Sequence, residues 1–189
     1  MKTLHISLIA VSGIVPLVVF EMYIISNPII QLSTTQACPS TDISKISTDM
    51  VANLPTKLPF DYALQGIVAN SKDQIMVFYA NHTLCTTPRN VFNTDYAQLR
   101  LVITKVAVPE NSTAYTNNWI KYASDPEINI AKPQLVHVNS YDGVGWDRYN
   151  AVPSELFFLN DNDQTQYSLF GLDNQSLIQL LDISRSIPP

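Results

Sequence analysis

The residues with the most chemical potential fall in one short stretch, Thr83-Leu84-Cys85-Thr86-Thr87-Pro88-Arg89. A thiolate at Cys85 would be a nucleophile, Arg89 would lower its pKa, and Thr83 would hydrogen-bond a peroxide or the thiolate itself. The same cysteine has a second reading. The chain holds two cysteines, Cys38 and Cys85, and an even count in an oxidising compartment suggests that they form a disulfide. That bond would tie the segment around Cys38 to the domain and leave Cys85 no thiol. Two free thiols are the third alternative, and all three stay open on the sequence.

Other groups point less far. His82, Cys85 and His137 together would supply the two-histidine, one-cysteine set of a mononuclear copper site. The cupredoxin grouping of Cys, His and Met close together near the C-terminus is missing, so the histidines are expected at the surface or packed, with no metal. Asp161 and Asp163 fit a turn better than a calcium loop, because the glycine and terminal glutamate of such a loop are missing. Asp142 and Asp147 form no recognisable acid–base pair. No GxSxG pattern marks a serine nucleophile. Trp119 and Trp146 read as core or interface residues.

Composition narrows the function classes. The 189 residues are 46% hydrophobic and only 14% charged, with a net charge of −5 and singly scattered basic residues. A row of phosphates would need a Lys/Arg stripe, so nucleic acid is not an expected partner. With 5 glycines and no GxGxxG or GxxxxGK[ST] pattern, no nucleotide and no other cofactor is expected.

These residues need elements to position them. From Leu4 to Phe20 the chain is almost wholly apolar, with Lys2 before it and Glu21 after it, and the apolar character resumes to Ile25. About 20 apolar residues span a bilayer as a helix, so residues 1–33 read as a signal anchor. A signal peptide cleaved near Ala37 competes with that reading, as does a lipid-bearing Cys38. With the helix retained the membrane is a partner through it; in every case the remainder is expected outside the cytoplasm, anchored or, if the leader is cleaved, secreted. The sequons at Asn81, Asn111 and Asn174 agree with export and are candidate glycosylation sites.

Residues 34–57 read as a linker and a short helix over Ser40 to Leu54, and 58–189 as one domain. Strands are expected over Tyr62–Ala69 and Gln74–Ala80, joined by Asn70-Ser71-Lys72-Asp73. Leu99–Val108 is the clearest strand. Asn111–Pro126 is a short helix or edge strand, Leu135–Val138 a short strand, and Ser140–Asn150 a glycine-containing loop. Glu155–Leu159, a polar turn and Gln166–Phe170 form a returning pair, and Asp173 caps a closing helix over Leu177–Ile183.

The order Val152-Pro153-Ser154, ELFFL, NDND, QYSLF, Gly171 and closing helix resembles the last third of a thioredoxin-like domain. Ile75–Ala80, followed by a cysteine-bearing loop, resembles that family's central strand, and Gln134–Asp142 its preceding strand. The resemblance implies an α/β (α+β) fold: a membrane-spanning helix, then one thioredoxin-like mixed-sheet domain with flanking helices. It also implies that Pro153 is a cis-proline beside Cys85 on the redox loop. The family's CxxC is absent, and dithiol exchange needs a resolving thiolate close by. The expectation is therefore a binding or accessory module with a possible protein partner. The alternatives are a single-cysteine, peroxidase-like enzyme using Cys85, since Phe78 to Cys85 resembles the peroxiredoxin approach to its reactive cysteine, and a structural, pilin-like envelope protein.

Overall fold

Short turns decide how the strands of this chain pair. The structure is a computed structural model, and it describes residues 38–39, 41–42, 49–59, 61–86, 91–125, 132–149 and 151–188. All belong to the second of two compact units, Thr34–Pro189. The expected membrane-spanning helix lies outside these residues, as do residues 40 and 43–48 of the expected helix over Ser40 to Leu54. Asp49–Asn53, at the end of the latter, is a 3-10 helix. No described helix is long and apolar enough to cross a membrane.

Strands β1 (Ala63–Ser71) and β2 (Gln74–Ala80) turn over Lys72 and Asp73, with Ser71 opposite Gln74. After the two-residue strands β3 (Cys85–Thr86) and β4 (Val91–Phe92), β5 (Leu99–Lys105) runs back along β2. Helix α1 (Ser112–Ala123) then carries the chain towards the far edge. From there β6 (Gln134–Val138), β7 (Tyr141–Trp146), β8 (Ser154–Asn160) and β9 (Thr165–Gly171) walk back until β9 pairs with β5. Helix α2 (Leu177–Ser184) closes the fold. The result is an α+β domain with one seven-stranded sheet in the order β1-β2-β5-β9-β8-β7-β6.

Every pairing in that sheet is antiparallel. The mixed sheet implied by the thioredoxin resemblance is therefore not what the described residues form. A parallel neighbour needs a crossover of a dozen or more residues, whereas β1–β2, β6–β7 and β8–β9 are joined by short turns. Asn139 and Gln164 take φ of 52° and 55° in the last two of these turns. The strand-turn-strand-helix ending is present as expected, but it belongs to a meander.

Both faces of the sheet are covered, which explains why β2 and β8 read as nearly unbroken apolar runs. One face joins Ile75, Val77, Leu99, Leu101, Ile103, Leu156 and Leu169 to Leu177, Leu180 and Ile183 of α2 in a single core. Burying each such side chain contributes roughly 1.5–3 kcal/mol. Helix α1 packs on the other face. Its buried residues Ser112, Tyr115, Thr116, Trp119 and Ala123 recur at helical spacing, and Trp119 stacks on Phe157 with ring centroids 4.1 Å apart. Asn111 caps α1 by accepting from the Ala114 N–H at 2.7 Å, which decides for helix in a segment whose residues left helix and strand open.

Two expectations are corrected. The cap of α2 is Ser176, not Asp173: Ser176 and Gln179 form a reciprocal capping box, and Asp147 accepts from the Leu177 N–H at 2.7 Å. The Ser140–Asn150 loop is for the most part strand β7. Its glycines are present because neighbours crowd them. A Cβ at Gly143 would lie 2.9 Å from the Phe157 carbonyl oxygen, and one at Gly145 would lie 2.8 Å from that of Glu155.

Candidate functional site

The chemistry-bearing stretch lies at the end of β2. Cys85 pairs with Phe92 in the small β3–β4 ladder, and it is joined by a disulfide to Cys38, with the Cα atoms 5.8 Å apart. Pro39, the next residue, lies over Gly66 of β1, and Phe92 approaches the same glycine while meeting Phe78 edge-on at 5.4 Å. The tether around Cys38 is thus both bonded and packed onto the β1–β2 border. Thr83 serves the loop: its hydroxyl donates to the Cys85 carbonyl and accepts from the Cys85 N–H, each at 3.2 Å. Arg89 lies outside the described residues. With Cys85 bonded, neither Thr83 nor any neighbour has a thiolate to activate.

Pro153 precedes β8. Ser154 pairs with Gly171, Gly171 with Leu99 and Leu99 with Tyr79, so the start of β8 lies three strands from the end of β2. At strand spacing that is about 14 Å, and the cysteine corner lies beyond β2 on the side of β1. The sheet does not bring Pro153 and Cys85 together. His82 is exposed near Asn81, while His137 lies on β6 at the opposite edge, its Nδ1 3.0 Å from an Asp142 oxygen. No group of three metal-ligating side chains occurs among the described residues. Asp161 and Asp163 act in the β8–β9 turn, where Asp161 accepts from the Ser112 N–H and Asp163 from the Thr165 N–H, both at 3.1 Å.

The sequence reading missed the most unusual electrostatic feature. Across the face that carries α1, the register aligns Phe78, Arg100, Phe170, Glu155 and Trp146 on five adjacent strands. The Arg100 guanidinium lies over the Phe170 ring, 4.3 Å from its centroid. Burial among these rings pushes the Glu155 carboxyl up to about 8, although Arg100 opposes the shift. Burial likewise lowers the Arg100 pKa, against the pull of Glu155. Tyr122 of α1 is raised by burial and then by the charges of Asp125 and Glu155. The rings of Trp146 and Phe170, which flank Glu155 in the register, both meet Phe157, with centroids 5.4 and 5.8 Å away. The signal for the pair was a charged residue at the second position of each of two otherwise mostly apolar strands, Arg100 in LRLVITK and Glu155 in SELFFLN.

Two depressions lie elsewhere. One, about 10 Å³ beside Tyr141, Phe158 and Tyr167, has room for little more than one water. The other is an open hollow of about 600 Å³ near the start of α1, whose Asp161 and Gln164 are occupied in holding the chain around Glu110 and Ser112. The sequon residues Asn81, Asn111 and Asn174 are all exposed, at the end of β2, the cap of α1 and the turn before α2.

No family model, no curated protein and no solved structure matches this chain.

Proposed function

We propose that this chain is a membrane-anchored, extracytoplasmic binding or accessory module that acts through its surface and carries out no thiol chemistry. The observation that carries the reading is the closed Cys38–Cys85 bond, which takes the only two cysteines of the sequence. A disulfide of this kind persists in an oxidising compartment, in keeping with the apolar N-terminal run and with three sequon asparagines at exposed positions. On this reading, residues before Cys38 anchor or direct the chain, the disulfide fixes the tether, and the sheet presents its loops and edges to a partner. The peroxidase-like alternative would require Cys38–Cys85 to open before Cys85 could react.

Protease treatment of intact cells expressing the full chain tests the placement, and sulfenic-acid trapping after peroxide tests the chemistry. The reading expects the domain to be degraded from outside and no adduct to form on Cys85. A protected domain, or rapid adduct formation, overturns it.

A further inference from the structure

The two helices are seated on the sheet in different ways. Helix α2 lies on an aliphatic core, where Leu177, Leu180 and Ile183 join Leu156 and Leu169. Helix α1 is held by unlike contacts at its two ends. Its first turn is hydrogen-bonded: the Ser112 N–H donates to Asp161 at 3.1 Å, and the Thr113 hydroxyl donates to Asp142 at 2.7 Å. Its later turns rest on rings. Trp119 stacks on Phe157 of β8, and Tyr122 meets Trp119 edge-on with centroids 5.8 Å apart. The Thr116 hydroxyl, the Trp119 Nε1 and the Trp146 Nε1 are buried without a hydrogen-bond partner among the described residues, which weakens this seat further.

Glu155 stands under the ring-held end, two residues before Phe157 on the same face of β8. Few charged groups face it. Strand β5 offers Arg100, but β9 stands between β5 and β8, and the guanidinium lies over the Phe170 ring of that strand. Helix α1 presents Tyr122, which feels the charges of Asp125 and Glu155. At this position β7 and β9 present only the rings of Trp146 and Phe170. Arg148, after β7, donates instead to the carbonyls of Leu172 and Asp173. The charge of Arg100 thus offsets only part of the hydration that a Glu155 carboxylate loses here.

We propose that α1 is a lid hinged at its hydrogen-bonded first turn, and that its C-terminal half lifts from the sheet when Glu155 ionises. Lifting returns water to the carboxylate and bares the rings of Trp119, Phe157 and Trp146. The direction follows from linkage. Burial holds the closed-state carboxyl at about 8, and opening returns it towards 4.5, so opening increases as pH rises between those values and levels off above them. The lid goes beyond the proposed function and does not depend on it.

Hydrogen exchange read by mass spectrometry, on the full chain in detergent micelles at pH 6 and pH 9, tests the lid. A helix of 12 residues is marginal once undocked, so its amides exchange when it lifts. After correction for intrinsic rates, residues 116–123 should lose protection by about tenfold or more between the two pH values. At pH 9 they should also exchange about tenfold or more faster than residues 177–184 of α2, which wait for global unfolding. In Glu155→Gln the α1 amides should keep the same protection at both pH values. Exchange of α1 and α2 through one common opening at pH 9 overturns the lid. Protection of α1 that is unchanged by pH, or that falls equally in Glu155→Gln, overturns the part given to Glu155. The two wild-type comparisons decide the matter whether or not the variant folds.

Discussion

A side chain at position 66 would run into Pro39 and come within 3.1 Å of the Phe92 ring. Gly66→Ala is therefore expected to lift the tether from β1 and cost about 1–3 kcal/mol, read from urea unfolding of the oxidised chain. The sequence showed a glycine in a strand but not what lay over it, because Pro39 and Phe92 arrive from distant parts of the chain. Glu155 gives a prediction of a different kind. Burial pushes its carboxyl up to about 8 in the folded protein, against 4.5 for an exposed carboxyl. Between those values the folded state holds a proton that the unfolded state has lost, so stability falls as pH rises through that window and levels off above it. Melting temperatures from pH 5 to 9 should show this decline in the wild type and a flatter profile in Glu155→Gln. An unchanged slope would mean that Glu155 does not carry the proton.

Elements built from local signals were legible, and elements defined by neighbours were not. The β8–β9 hairpin was readable because the Asn160–Asp163 turn chemistry and the flanking apolar runs agree. Strand β7 reads as a loop because Gly143 and Gly145 suggest flexibility, whereas their neighbours across the sheet leave no room for a side chain at either position. The cap of α2 was misplaced by three residues, since Asp173 and Ser176 are both good caps and only the reciprocal bond with Gln179 separates them. The largest side chain on the packed face of helix α1 is Trp119, whose ring stacks on Phe157. Trp119→Ala should cost about 3–5 kcal/mol by chemical denaturation. A loss under 1 kcal/mol would mean that α1 is held by something other than this stack.

At the scale of the whole molecule, strand order is the property the sequence could not supply. The chain leaves β5 and re-enters at the far edge with β6, and only then walks back to β5 through β9. Nothing local encodes that jump, and for this reason the thioredoxin-like reading of the last third suggested a mixed sheet. The cysteine corner was half legible: two cysteines after an apolar N-terminal run offered a bond as one of three readings, and nothing in the sequence showed that Pro39 would pack beside it. Cys38 and Cys85 are 47 residues apart in sequence. Closing a loop of that length removes about 4 kcal/mol of chain entropy from the unfolded state, so the double variant Cys38→Ser/Cys85→Ser should unfold at clearly lower denaturant than the wild type. The central claim is that this bond is structural and that the domain works by binding. Differential alkylation of Cys38 and Cys85 in the full chain recovered from the cells that express it, read by peptide mass, tests it most directly. The account predicts a quantitative Cys38–Cys85 crosslink with no alkylated thiol. A free Cys85 that reacts rapidly at neutral pH or is recovered as a sulfenic acid would contradict it.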